Sequence, residues 1–90
     1  MLAELRGIQD MDFYDDKGSH IDGLSLQLVY RDSSVIGLRT KGKFIQRAYC
    51  NGMGWTVESL KSYIGKTVDL ELDIKGHVLG IKSTDDKLSG

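Results

Sequence analysis

Proline is absent from this 90-residue chain, cysteine occurs once, and aromatic residues make up only 8% of it. Without proline, every strand position keeps the N–H it needs for a neighbouring ladder. The single thiol, Cys50, excludes an internal disulfide framework and fits a reducing compartment, so a cytoplasmic location is expected. No apolar run approaches the ~18 residues that cross a bilayer, and no membrane contact is expected. Residues 1–6, Met-Leu-Ala-Glu-Leu-Arg, have neither a basic nor an apolar signal region, so no secretory signal is expected.

Catalytic constellations are lacking too. Gly52-Met53-Gly54-Trp55 is without the later glycine, lysine and hydroxyl of a phosphate loop. The acids Asp10, Asp12, Asp15 and Asp16 miss the calcium-loop spacing, because Tyr14 stands fifth and Asp15 sixth from Asp10. His20 and His77 each lie near a turn glycine with no ligand-spaced partner, and Cys50 has no neighbouring base. No enzyme activity, cofactor or metal is expected.

What is present describes one small domain over residues 1–84, followed by a flexible tail over 85–90. Hydrophobic residues are 40% and charged residues 28%, as in ordinary soluble globular chains. The net charge of -1 argues against a dedicated nucleic-acid binder, but the charges are unevenly spread. Residues 1–30 carry two basic side chains against six acidic ones, net -4. Residues 31–66 carry seven against two, net +5, and residues 67–90 carry three against five, net -2.

Alternation supplies the strands. Leu24, Leu26, Leu28 and Tyr30 share one parity, and Ser25, Gln27 and Arg31 the other, which is the pattern of a half-buried strand. Asp32-Ser33-Ser34 breaks it as a hairpin loop of about three residues. A third strand is expected from Val35 to about Gln46, with Lys41-Gly42-Lys43 as a bulge or its end. Before these, Leu2 to Tyr14 forms a first strand bulged at Gly7, closed by the turn Asp15-Asp16-Lys17-Gly18. After them, Asn51 to Gly54 reads as a mobile loop. Thr56 then caps one short helix over 57–64, with Val57, Leu60 and Ile64 facing the core and Gly65 ending it. Val68, Leu70, Leu72 and Ile74 alternate with Asp69, Glu71 and Asp73 in a fourth strand. Lys75-Gly76-His77 turns it into a fifth over 78–81.

The order β-β-β-α-β-β is that of a five-stranded OB-fold-like Greek-key barrel, with an SH3-like barrel as the alternative. In such a barrel the second and third strands hold oligonucleotides. Arg31, Arg39, Lys41, Lys43 and Arg47 lie there as a basic row for phosphates, and Tyr14, Tyr30 and Tyr49 as rings for bases. Tyr49 shares the row's parity, whereas Tyr30 and Phe44 are expected among the core leucines. A merely solvated face explains the same residues. A protein-interaction module without nucleic-acid binding is the second reading. Its basis is the near-neutral charge and the acidic strip Asp69, Glu71 and Asp73.

Short motifs spread over most of the chain add a resemblance. They are Asp12-Phe13, Gly18, Ile21-Asp22-Gly23, Tyr30-Arg31-Asp32, Val35-Ile36-Gly37, Thr40 to Ile45, Ile64-Gly65-Lys66-Thr67-Val68 and Lys75-Gly76-His77-Val78. This set resembles small proteins of Gram-positive phages, plasmids and conjugative elements, which look like OB-fold single-stranded-DNA-binding proteins of the filamentous-phage type. The resemblance implies coating of single strands, DNA or RNA, during replication or transfer of a mobile element, and is compatible with a homodimer. It puts Tyr30, Arg31, Arg39, Lys41 and Lys43 on the binding face.

Overall fold

Asp15 closes the first hairpin, its Oδ1 accepting the backbone N–H groups of Lys17 (2.9 Å) and Ser19 (2.8 Å). The hairpin joins β1 (Leu2–Tyr14) to β2 (His20–Arg31) in the computed structural model, which describes residues 1–84. The expected tail, 85–90, lies outside the described residues.

The bulge expected at Gly7 is present, as a register shift between Leu5 and Gly7. It has a packing consequence. Leu5 and Ile8 have opposite parity, yet the extra residue lets them stand opposite Leu28 and Leu26 on one face. Ahead of the bulge, β1 also pairs with β4, from Leu2 opposite Asp69 to Glu4 opposite Thr67. One long strand therefore serves two neighbours.

Strand β3 (Leu38–Gln46) pairs with β2 without a register shift, so Lys41-Gly42-Lys43 is neither a bulge nor a strand end. The connecting loop is longer than expected, spanning residues 32–37. Two short helices follow where one was expected. The first, α1 (Arg47–Met53), takes in residues read as strand end and loop, and stops at left-handed Gly54. The second, α2 (Val57–Lys61), starts as expected at Thr56: Thr56 Oγ1 accepts the Ser59 N–H at 3.0 Å, and Ser59 Oγ accepts the Thr56 N–H at 2.8 Å. It ends early, so Ile64 is exposed rather than core, and Gly65 turns the chain into β4 with its N–H on the Leu5 carbonyl (2.7 Å).

Strands β4 (Thr67–Leu72) and β5 (Val78–Ser83) form the last hairpin. Val68 and Leu70 are buried and Asp69 and Glu71 exposed, as their alternation requires. Asp73 and Ile74 have left the strand. Asp73 Oδ1 accepts the N–H groups of Lys75 (2.9 Å) and His77 (2.8 Å), and Ile74 is fully exposed at the tip.

The result is a mostly antiparallel five-stranded sheet in the order β3-β2-β1-β4-β5 with two short helices. It is not closed into the expected barrel, because the edges β3 and β5 do not pair. Two side chains span the gap instead: Lys43 Nζ donates to the Gly76 carbonyl (2.8 Å) and the Tyr49 hydroxyl to the Leu79 carbonyl (3.0 Å). The core gathers Ala3, Leu5, Leu24, Leu26, Leu28, Ile45, Cys50, Leu60, Val68, Leu70 and Val78. Burial of each large aliphatic among them contributes about 1.5–3 kcal/mol. Among the described residues, no helix is long and apolar enough to cross a membrane.

Candidate nucleic-acid interface

Register decides where the basic row faces. Arg39, Lys41, Lys43 and Ile45 stand opposite Tyr30, Leu28, Leu26 and Leu24 respectively. Directly opposed residues of an antiparallel pair share a face, so the cations lie on the same side of the sheet as the core leucines. Burial fades along that row: Ile45 is buried, Lys43 half-buried, and Lys41 and Arg39 exposed. The row thus leaves the core and becomes a charged rim on an edge strand, with cations spaced about 6.8 Å apart along it.

Lys43 is anchored by its bond to the Gly76 carbonyl. Burial chiefly, then the neighbouring Lys41 ammonium, pushes its pKa below the ordinary lysine value. Among the described residues Lys41 has no acidic partner, whereas Arg39 pairs with Asp32 (Nε to Oδ2, 2.8 Å). Asp32 also accepts from the Ser34 hydroxyl (2.7 Å) and backbone (2.9 Å), and those two bonds hold its carboxyl below the usual range. Tyr30 is half-buried, packed on the core beside Arg39. Arg31 is on the other face, opposite Leu38.

Two expected site residues are employed elsewhere. Arg47 is not the end of a strand row but the first residue of α1. Its Nε donates to Asp22 Oδ1 (2.9 Å) and its Nη2 to Asp10, so it clamps α1 onto β1 and β2. These bonds, Asp10's first, hold the guanidinium above its already high ordinary pKa. Tyr49 likewise sits in α1, its ring 5.7 Å from that of Trp55 and its hydroxyl committed to the Leu79 carbonyl. Trp55 is half-buried against the core.

The outer face holds what parity reading missed. Phe44 stands opposite Ser25, away from the core leucines, and is exposed, as is Phe13 beyond it on β1. Gly7, Gln27 and Gly42 line up across three strands on the side of Phe44 away from Phe13. Gly23 is closed in: a Cβ there would meet the Ile45 carbonyl oxygen at 2.1 Å and the Phe44 ring at 2.8 Å. Such strand glycines mark close approach of another group, and were a usable sequence signal. At the gap between β3 and β5, a 420 Å³ groove is lined by Phe44, Ile45, Tyr49, His77, Val78 and Leu79, among others.

The first hairpin gathers a further set. Asp12 stands opposite Asp22, and Tyr14 opposite His20. The His20 ring stacks on Tyr14 at 4.7 Å and its Nε2 lies 2.6 Å from Asp12 Oδ1. Counting outward from the Asp15–Gly18 turn would have paired these residues. A search for spacing along the chain does not.

The chain matches no protein-family model, and no curated protein or solved structure is significantly similar to it.

Proposed function

We propose that the protein binds single-stranded nucleic acid with little sequence preference, across the rim of β2 and β3. The observation that carries this is the run Arg39, Lys41 and Lys43 on one face of an edge strand, next to Tyr30. The cation spacing is comparable with that of successive phosphates in an extended strand. The Lys41 ammonium disfavours the charge on Lys43, and a phosphate would relieve that. Tyr30 offers a ring for a base, and Arg31, on the other face of β2, adds a cation at the end of the strand. The sheet order, with helices between β3 and β4, supports an OB-fold opened between β3 and β5, since an SH3-like barrel does not need those helices. The resemblance to phage, plasmid and conjugative-element proteins supports a role in replication or transfer of a mobile element, in the cytoplasm.

The test is fluorescence anisotropy of a labelled poly-thymidine oligonucleotide, titrated with protein at low and moderate salt. Tight binding that weakens steeply with salt is expected, as bound cations are released from the strand. No binding at low salt overturns the reading.

The groove between the unpaired edges favours a second reading, a homodimer or a protein partner seated there without nucleic acid. Sedimentation of the protein alone over a range of concentrations tests it, and a monomer throughout removes the dimer.

A further inference from the structure

We propose that Asp12, His20 and Asp22 bind a divalent first-row transition cation on the inner face of the β1–β2 hairpin. The three residues come together through register: Asp12 and Asp22 are directly opposed, and His20 precedes Asp22 by two positions on the same face. One ligand atom from each lies within 4.8 Å of the other two. Bonds of about 2.05 Å in a tetrahedral site put donors roughly 3.3 Å apart, so modest rotation of exposed side chains closes the set.

Charge argues for a dication. Asp10, Asp12 and Asp22 converge here against the guanidinium of Arg47 alone, which leaves -2 when His20 is neutral. Directly opposed like charges destabilise a sheet pair, and Arg47 relieves only the Asp10 and Asp22 side. A divalent ion between Asp12, His20 and Asp22 cancels the remainder.

Two of the three donors are already oriented. Arg47 holds Asp22 through Oδ1 and leaves Oδ2 for a ligand bond, the role outer-sphere partners play at metal carboxylates. Stacking on Tyr14 sets the His20 ring so that Nε2 faces Asp12, where the metal would replace the present hydrogen bond. All three donors approach from one side, and water completes the coordination. One imidazole with two carboxylates suits zinc or manganese better than magnesium or calcium, which take oxygen-only shells. The site is separate from the basic rim and does not depend on nucleic-acid binding.

The experiment is calorimetric titration of the full chain with zinc chloride, without nucleic acid. One equivalent per chain is expected, uncontested by excess magnesium. His20→Gln and Asp12→Asn should each weaken binding more than about tenfold, while His77→Gln, altering the other histidine on the β4–β5 turn, should leave it unchanged. Circular dichroism checks that the variants fold, and zinc should move the His20 ring-nitrogen resonances of the unaltered chain. Absence of saturable binding, binding indifferent to His20→Gln, or loss with His77→Gln would each overturn the proposal.

Discussion

Leu28 on β2 and Lys41 on β3 stand directly opposite each other, the leucine buried and the lysine exposed on one face of the sheet. Core and charge share that face because β3 is an edge: among the described residues no other strand pairs with it beyond Lys41 to bury the row. An ammonium beside a closing strand would have to be desolvated, which costs far more than leaving the edge open to water. The open edge and the basic rim have one physical cause.

From this follows the first prediction. Replacing Arg39 and Lys41 together by alanine removes two phosphate contacts at exposed positions. The dependence of log affinity on log salt should flatten by about 1.4, from about 0.7 per contact on a single strand. Anisotropy titrations at several salt concentrations measure the slope. An unaltered slope rules out this rim as the site.

Arg47→Gln should behave in the opposite way. It strands Asp10 and Asp22 near each other and loosens α1 from the sheet, so the thermal midpoint should fall. The salt slope of oligonucleotide binding should stay as it is. A flattened slope with unchanged melting would return Arg47 to the binding face.

Two glycine substitutions should differ in sign. Gly23→Ala drives a methyl into the Ile45 carbonyl and should destabilise by about 1–3 kcal/mol. Gly52→Ala in α1 meets nothing within 4 Å and should stabilise by about 0.5–1 kcal/mol. Urea unfolding of both proteins measures the difference.

Acid sensitivity should trace in part to Asp73. The His77 amide chiefly, with the His77 ring and the Lys75 amide, lowers its pKa in the fold beneath the ordinary 3.8. A depressed folded-state pKa adds stability above the unfolded value and loses it as pH falls through the folded one. Stability should therefore drop below about pH 4, and Asp73→Asn should show a smaller drop between pH 4 and pH 2. Urea midpoints across that range are the measurement, and equal drops would remove Asp73 from the account.

Interactions between near neighbours were legible in the sequence. The Asp15 turn, the Gly7 bulge, the Thr56 cap and the alternation at Val68 to Leu72 each depend on a few adjacent residues, and each stands in the structure. Helix α1 was not legible, because its seven residues include Gly52 and β-favouring Tyr49, and hold their helix through Cys50 in the core and Arg47 on two strands.

Local pattern was enough to specify a β-rich chain, five strands in order, and a basic stretch in its middle. Parity told which side chains travel together along β3, but not which side of the sheet they take. That choice has no local energy and is made when Leu24 to Tyr30 settle opposite Ile45 to Arg39. Arg47 was assigned by partners 25 and 37 residues away. His20 was drawn to Asp12 by hairpin register. Tertiary structure alone decided these, because a charge is worth little until a fold brings its counter-charge within reach and takes away the water between them.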